Sequence, residues 1–463
     1  MHIIAVGGSD AGISAALRAR ELDADVDVTV VVADSYPNYS ICGIPYYFSG
    51  DVSPWQSLAH RAHADLEATG MQLWLDTLAT RIDAASRRLT VRDAAGTESE
   101  IAYDELIVGT GALPSHAGIE GLDRLGPTDG VHVIHSMGDT FALERDLQER
   151  QPRTAIIIGA GYVGLEMAEG FTARGIAVTQ LQRGAEVLST LDPELASIVH
   201  DELVTHGVAV RTRTIVRSVE RVGAGLRVHA TVDGEAVSHD ADVVLLVVGV
   251  RPSTALLEQA GARLGAGRAV VVDEHMRTGI PHVFGAGDGV ITHHRLLGET
   301  YLPLGTTAHK QGRIAGENAL GGSARFAGSV GTQVVKVFDV VAARTGLRDH
   351  EAAAAGFDPA TVASVADDHK RYYPGAQPIS IRLTGDRATG RLLGAQLVGR
   401  LGTETAKRVD TYATALYAGL SLAQISELDL AYTPPLGSPW DAVQVAAQAW
   451  DRQHAQTTIE ESA

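Results

Sequence analysis

Short apolar runs broken by glycine recur along the chain and predict buried strands that end in tight turns. The first, His2-Ile3-Ile4-Ala5-Val6, enters Gly7-Gly8-Ser9-Asp10-Ala11-Gly12 and then the helix-like Ile13-Ser14-Ala15-Ala16-Leu17. A second strand is expected over residues 26–33, ending at Asp34. The pattern returns far along the chain. A strand over 155–158 meets Gly159-Ala160-Gly161-Tyr162-Val163-Gly164, followed by a helix over 165–174, Gly175 as its stop, and a strand over 176–181.

Glycine lets a backbone turn sharply and approach a pyrophosphate, while the helix that follows presents free N–H groups and a positive dipole end. Two strand–turn–helix units therefore predict two Rossmann-type nucleotide-binding folds in an α/β chain. Gly7, Gly8 and Gly12 are the candidate contacts in the first, and Gly159, Gly161 and Gly164 in the second. Asp34 is placed to accept hydrogen bonds from a ribose. The first turn departs from the pattern, because Ser9 stands where the middle glycine is expected.

Other strand ends fall between and after these units. Leu106-Ile107-Val108-Gly109-Thr110-Gly111-Ala112 is one, the segment 243–252 repeats its shape, and Val283-Phe284-Gly285-Ala286-Gly287-Asp288 leads to a carboxylate. From about Gly331 the texture changes to strands over 334–341, 379–383 and 392–398, then helices over 404–418 and 440–450. The expected division is 1–115 and 251–328 for the first nucleotide fold, with 116–150 as a connection at its edge. Residues 151–250 form the second fold, 329–453 a C-terminal α+β domain and 454–463 a polar tail.

Composition narrows the function classes. Of 463 residues, 45% are apolar and 20% charged, with a net charge of −18, which argues against a nucleic-acid-binding surface. No segment reaches the roughly 18–20 apolar residues that span a bilayer, so no membrane partner is expected. The N-terminus enters a strand without a signal-peptide pattern, and a single cysteine allows no intrachain disulfide; a cytoplasmic setting is expected.

With these motifs in order, the chain resembles the pyridine-nucleotide flavoprotein disulfide reductases. Within them it is similar to the single-cysteine branch of coenzyme A-disulfide reductases, persulfide reductases and NADH oxidases. The resemblance covers nearly the whole chain. It implies FAD in the first fold, a nicotinamide nucleotide in the second, and a C-terminal dimerisation domain that makes a homodimer. By motif match it implies Asp288 at the flavin ribityl chain, Thr110-Gly111 at the exit from the FAD fold, and the segment 308–313 beneath the flavin.

Cys42 lies in Asn38-Tyr39-Ser40-Ile41-Cys42-Gly43-Ile44-Pro45-Tyr46, before a predicted helix whose N-terminus would favour the thiolate. A lone cysteine is more often a small buried hydrophobe, but the resemblance puts this one against the flavin. With no second cysteine to form an internal disulfide, it would store electrons as a mixed disulfide with a small thiol or as a sulfenic acid. Tyr373, in Arg371-Tyr372-Tyr373-Pro374-Gly375, and Tyr432, in Leu430-Ala431-Tyr432-Thr433-Pro434-Pro435, resemble tyrosines that reach the cysteine of the other subunit. Interface packing is their alternative role.

A coenzyme A-type thiol or disulfide needs cations for its phosphates. Arg18, Arg20 and Arg61, with Ser40 in the cysteine loop, are the candidates, Arg61 foremost; solvated helix charges are the alternative. His60 and His63 are not expected to bind metal, because no carboxylate or cysteine partner accompanies them. Asp10 occupies the position where peroxidases and many oxidases of the family carry a histidine. Gln182 stands where an acid would bind an NAD ribose, and Arg183 could pair with a 2′-phosphate, so NADPH is expected, with NADH the alternative. Glu166 and Glu169 read as ordinary helix residues, although the family often has the first near the nicotinamide amide. His454 and Glu460 read as surface residues of the tail.

The leading expectation is a reductase of a low-molecular-weight disulfide or persulfide. An NAD(P)H oxidase reducing O2 and a flavoprotein electron donor to a protein partner are the alternatives. The Cys42 loop counts against the last.

Overall fold

The His2–Val6 strand forms as the pattern requires and lies at the centre of a parallel sheet. Asp27–Val31 and Gln72–Trp74 extend the sheet on one side, Glu105–Val108 and Val283–Gly285 on the other. Ile3, Ile4, Leu106 and Ile107 are wholly buried at its core, as expected for a sheet covered on both faces. The computed structural model of the chain describes residues 1–454. It divides into two compact units, one of residues 1–117, 132–151 and 248–329, the other of residues 118–131, 152–247 and 330–454.

In the first unit the Asp10–Leu22 helix packs on the Gly305–Ala319 helix through small residues. A Cβ at Gly312 would stand 2.2 Å from the Ala11 carbonyl oxygen, and one at Gly316 would stand 2.2 Å from that of Ala15. The strand expected over 26–33 is shorter, Asp27–Val31, so Asp34 sits in the loop beyond it. An antiparallel sheet of Leu78–Asp83, Arg88–Arg92 and Glu98–Ala102 completes this unit.

The second unit repeats the parallel design. Thr154–Ile158 is flanked by Ala177–Leu181 and Ala209–Arg211 on one side and Val243–Leu246 on the other. A five-stranded antiparallel sheet follows in the order Gln333–Val337, Val340–Gly346, Leu392–Arg400, Pro378–Asp386, Pro359–Asp367. The strand expected over 334–341 is therefore two, joined at Phe338 and Asp339, where Phe338 takes φ 49°. Helices Thr405–Ala418 and Ala442–His454 cover this sheet. Tyr412 is wholly buried between them, its hydroxyl donating to the Val443 carbonyl at 3.0 Å. His454 closes the last helix rather than opening a tail; Glu460 lies outside the described residues.

Candidate functional site

The two glycine turns have the same construction. Gly7 has φ 115° and Gly159 φ 111°, values that side chains resist. Each backbone N–H returns to the neighbouring strand, Gly7 to Val31 O and Gly159 to Leu181 O, both at 2.9 Å. The last glycine of each turn packs on the carbonyl of the first. A Cβ on Gly12 would lie 2.1 Å from Gly7 O, and one on Gly164 would lie 2.2 Å from Gly159 O. Gly161, the middle glycine of the second turn, has nothing within 4 Å of its Cβ position. Its counterpart Ser9 is exposed at the N-cap of the Asp10–Leu22 helix. The departure at Ser9 thus falls at the one glycine position where a side chain meets open space.

Each turn is backed by a buried polar side chain that sequence reasoning passed over. Gln180 is wholly buried; its Nε2 donates to Gly159 O at 3.1 Å, and its Oε1 has no protein partner. Asn38 is buried too. Its backbone N–H donates to Gly8 O at 2.6 Å, and its Oδ1 has no protein partner. Buried acceptors of this kind are costly unless a ligand or water satisfies them. A polar residue inside the apolar run 177–181 was the available signal for Gln180. The open backbone and these acceptors fit a dinucleotide at each turn.

Around the first turn, Asp34 accepts from the Tyr36 N–H at 2.8 Å. Burial, with Asp76 nearby, raises its carboxyl above the ordinary range. The Thr110 hydroxyl donates to Ser253 O at 2.7 Å, and Gly111 takes φ 67°, so this strand end is pinned as a sharp turn. Asp288 is pushed up to about 6 by burial and by the Asp10 carboxylate. A carboxyl so placed gains from a hydroxyl donor.

Cys42 is exposed and in no disulfide. It lies in the 3-10 turn Ile41–Gly43, immediately ahead of the six-residue helix Ile44–Ser49. Its loop is fixed at two points ahead of the cysteine: Asn38 holds it to the first glycine turn, and Ser40 N–H donates to Leu58 O at 2.8 Å. Arg61 is exposed. Arg18 is already committed to carboxylates, with Glu317 at 2.6 Å and Glu21 at 3.0 Å. Arg20 donates to the Thr69 and Val26 carbonyls, a structural role. His63 pairs with Glu67 on its own helix at 3.4 Å.

In the second unit Gln182 follows the Ala177–Leu181 strand directly and donates from Nε2 to Glu186 O at 3.1 Å. The Arg183 side chain is exposed beside it. Glu169 is structural, pairing with Lys336 and accepting from the Phe338 N–H. The fold unites the two tyrosine segments. Lys370 N–H donates to Pro434 O at 3.3 Å, and a hydrogen bond to Tyr372 lifts the Tyr432 phenol above its usual value. Tyr373 lies edge-on to the His369 ring at 5.7 Å. Tyr373 and Tyr432 are each 44% exposed, and Tyr372 of the first segment and Leu436 and Trp440, just after the second, are also exposed.

Residues 1–312 match the family described as pyridine nucleotide-disulphide oxidoreductase, and residues 332–442 match its dimerisation domain. A CoA-dependent NAD(P)H sulfur oxidoreductase of Pyrococcus abyssi is 34% identical over 96% of this chain and 97% of its own. A protein of Methanocaldococcus jannaschii named NADH oxidase is 30% identical over 97% and 98%. The structure of an NAD-dependent persulfide reductase from A. fulgidus aligns with TM-score 0.92 and 35% identity, covering 98% of this chain and 84% of that one.

Proposed function

The chain belongs to the pyridine nucleotide-disulphide oxidoreductase family, and from that premise we propose that it uses NADPH to reduce a coenzyme A-type disulfide or persulfide through Cys42. Membership implies FAD and a pyridine nucleotide; the choice of NADPH and of the acceptor is our reading. The observation that carries it is the tethering of an exposed cysteine to the first glycine turn through Asn38 and Gly8. Such a thiol is open to a small substrate and tied to the turn that would hold the flavin.

When bound, FAD supplies two-electron transfer from the reduced nicotinamide to sulfur. The Cys42 thiolate attacks one sulfur of RSSR, forming Cys42–S–S–R and expelling the first RS⁻. Two electrons then break that bond, release the second RS⁻ and restore the thiolate. Uptake of protons gives two RSH, and Tyr432 or Tyr373 is placed in this reading to hold or protonate the leaving thiolate. The tyrosines would come from the partner subunit of a homodimer, for which the dimerisation-domain match and the exposed Tyr372, Leu436 and Trp440 speak. Among the described residues no helix is long and apolar enough to cross a membrane.

For the remaining sites, Gly7, Gly8, Gly12, Asp34, Thr110, Gly111 and Asp288 are assigned to FAD, and Gly159, Gly161, Gly164, Gln182 and Arg183 to NADPH. Ser40 and Arg61 are assigned to the substrate, with Arg18 a weaker candidate because Glu317 and Glu21 already neutralise it. Reduction of O2 is the second reading, favoured by the Methanocaldococcus relative.

Stopped-flow reduction by NADPH, then reoxidation by coenzyme A disulfide, a persulfide or O2, separates the two. Fast reoxidation by a sulfur acceptor that disappears in Cys42→Ser is expected. Equal reoxidation of variant and wild type by every acceptor would refute the thiol route.

A further inference from the structure

His60 lacks a metal-binding partner in its stretch of sequence, but the fold supplies two from elsewhere. Asp10 opens the first long helix and His309 lies in the Gly305–Ala319 helix packed on it. His60 is brought in by its backbone N–H, which donates to Asn38 O at 2.9 Å. One ligand atom from each of Asp10, His60 and His309 lies within 4.8 Å of the other two. We propose that these three side chains form a site for a borderline divalent ion of the Zn²⁺ class, beside the cysteine-bearing loop.

Three features distinguish this cluster from a chance grouping. His309 Nε2 and Asp10 Oδ1 are 3.4 Å apart, close to the separation of about 3.3 Å between ligand atoms bound tetrahedrally at zinc distances. The other ring nitrogen, Nδ1, is 2.8 Å from the Ser14 hydroxyl. That contact orients the imidazole and, with Nδ1 as donor, leaves the Nε2 lone pair facing the carboxylate, the supporting arrangement metal-binding histidines use. The Asp10 carboxylate also sits close against Gly305, where a Cβ would stand 2.9 Å from Oδ2 and only a glycine leaves room for it. His60 and His309 are exposed, so the His60 ring can close the remaining gap by rotation.

No lysine or arginine among the described residues pairs with any of the three. A second grouping, Glu202, His206 and Asp339, shows the contrast. There Arg400 already occupies the centre, 2.8 Å from Glu202 and 3.4 Å from Asp339. Two imidazoles and one carboxylate suit zinc-class ions over Mg²⁺ or Ca²⁺, which favour oxygen sets. Open coordination positions remain for water or a thiolate.

Calorimetric titration of the metal-stripped, flavin-loaded full chain with ZnCl2 tests the site, with Cys42→Ser titrated in parallel to remove the thiol. The expected result is one saturable ion per chain, retained in Cys42→Ser. Affinity should fall more than about tenfold in His60→Ala, His309→Ala and Asp10→Asn, and about tenfold in Ser14→Ala. His63→Ala and His206→Ala should bind as wild type. Retained flavin absorbance shows that each variant is folded, and His60, being exposed, is the safest of them. Absence of saturable binding, or undiminished binding in the His60→Ala/His309→Ala pair, overturns the assignment.

Discussion

Gly164 packs on the carbonyl oxygen of Gly159 so closely that a Cβ would stand 2.2 Å from it. The helix and the strand that precedes it meet through bare backbone, which sets where the helix N-terminus points. Gly164→Ala must push the two apart at backbone atoms that cannot swing away. NAD(P)H affinity is expected to fall about 5- to 150-fold, because overpacking of this kind costs on the order of 1–3 kcal/mol. Flavin content should be unchanged, since the first turn is separate. Flavin-to-protein ratio and nucleotide titration check this; loss of flavin with nucleotide affinity intact would reverse the assignment of the two folds.

Arg183 is exposed beside Gln182, which is tied to Glu186 O. Arg183→Ala should lower kcat/KM for NADPH about tenfold, equivalent to about 1.4 kcal/mol, and leave that for NADH nearly unchanged. Gln182→Glu should shift preference toward NADH by supplying a carboxylate that accepts from both ribose hydroxyls. Steady-state kinetics with both nucleotides decide the point; unaltered ratios would mean that neither residue reads the 2′ position.

Asp288 titrates at about 6 because burial and the Asp10 charge disfavour its ionised form. Between about pH 4 and pH 6 the unfolded chain has lost this proton and the folded chain still holds it. Stability from this group therefore falls as pH rises through that window, and the penalty is constant above it. In flavin-free protein, Asp288→Asn should gain stability on the order of 2 kcal/mol at pH 8 and almost nothing near pH 4. Urea midpoints at the two pH values measure the difference, and equal shifts would show that the charge is not responsible.

Tyr432 and Tyr372 share a hydrogen bond, which raises the Tyr432 phenol. If Tyr432 serves the leaving thiolate, Tyr432→Phe should slow disulfide turnover by about 10²-fold or more while NADPH still reduces the flavin at the wild-type rate. Tyr373→Phe is the companion variant. Matching turnover in both variants would leave these rings with packing roles only.

Arg18 is held by Glu317 and Glu21, whereas Arg61 is exposed. Arg61→Ala should raise KM for coenzyme A disulfide several-fold, roughly the loss of one exposed ion pair, and Arg18→Ala should raise it less. Equal KM effects would remove the distinction.

Local pattern by itself determined the two strand–turn–helix units, because φ above zero, a buried apolar strand and a helix start each leave marks in neighbouring residues. Cys42 stands in a short loop soon after the first unit, and it is the family resemblance that makes that position a redox candidate. The strand break at Phe338 and Asp339 was not legible, since Phe338 is a non-glycine residue at φ 49° and valines continue on both sides of the pair. The Pro359–Asp367 strand, which alternates weakly, was also missed.

Tertiary structure alone decided which side chains are already spent. Arg18 meets Glu317, and Glu169 meets Lys336, across separations that no local pattern records. It alone placed Gln180 and Asn38 behind the turns, and it brought Asp10 and His309 to His60. Chain neighbours encode the turn, but the partners of a charge or an imidazole are set by how the helices and strands pack.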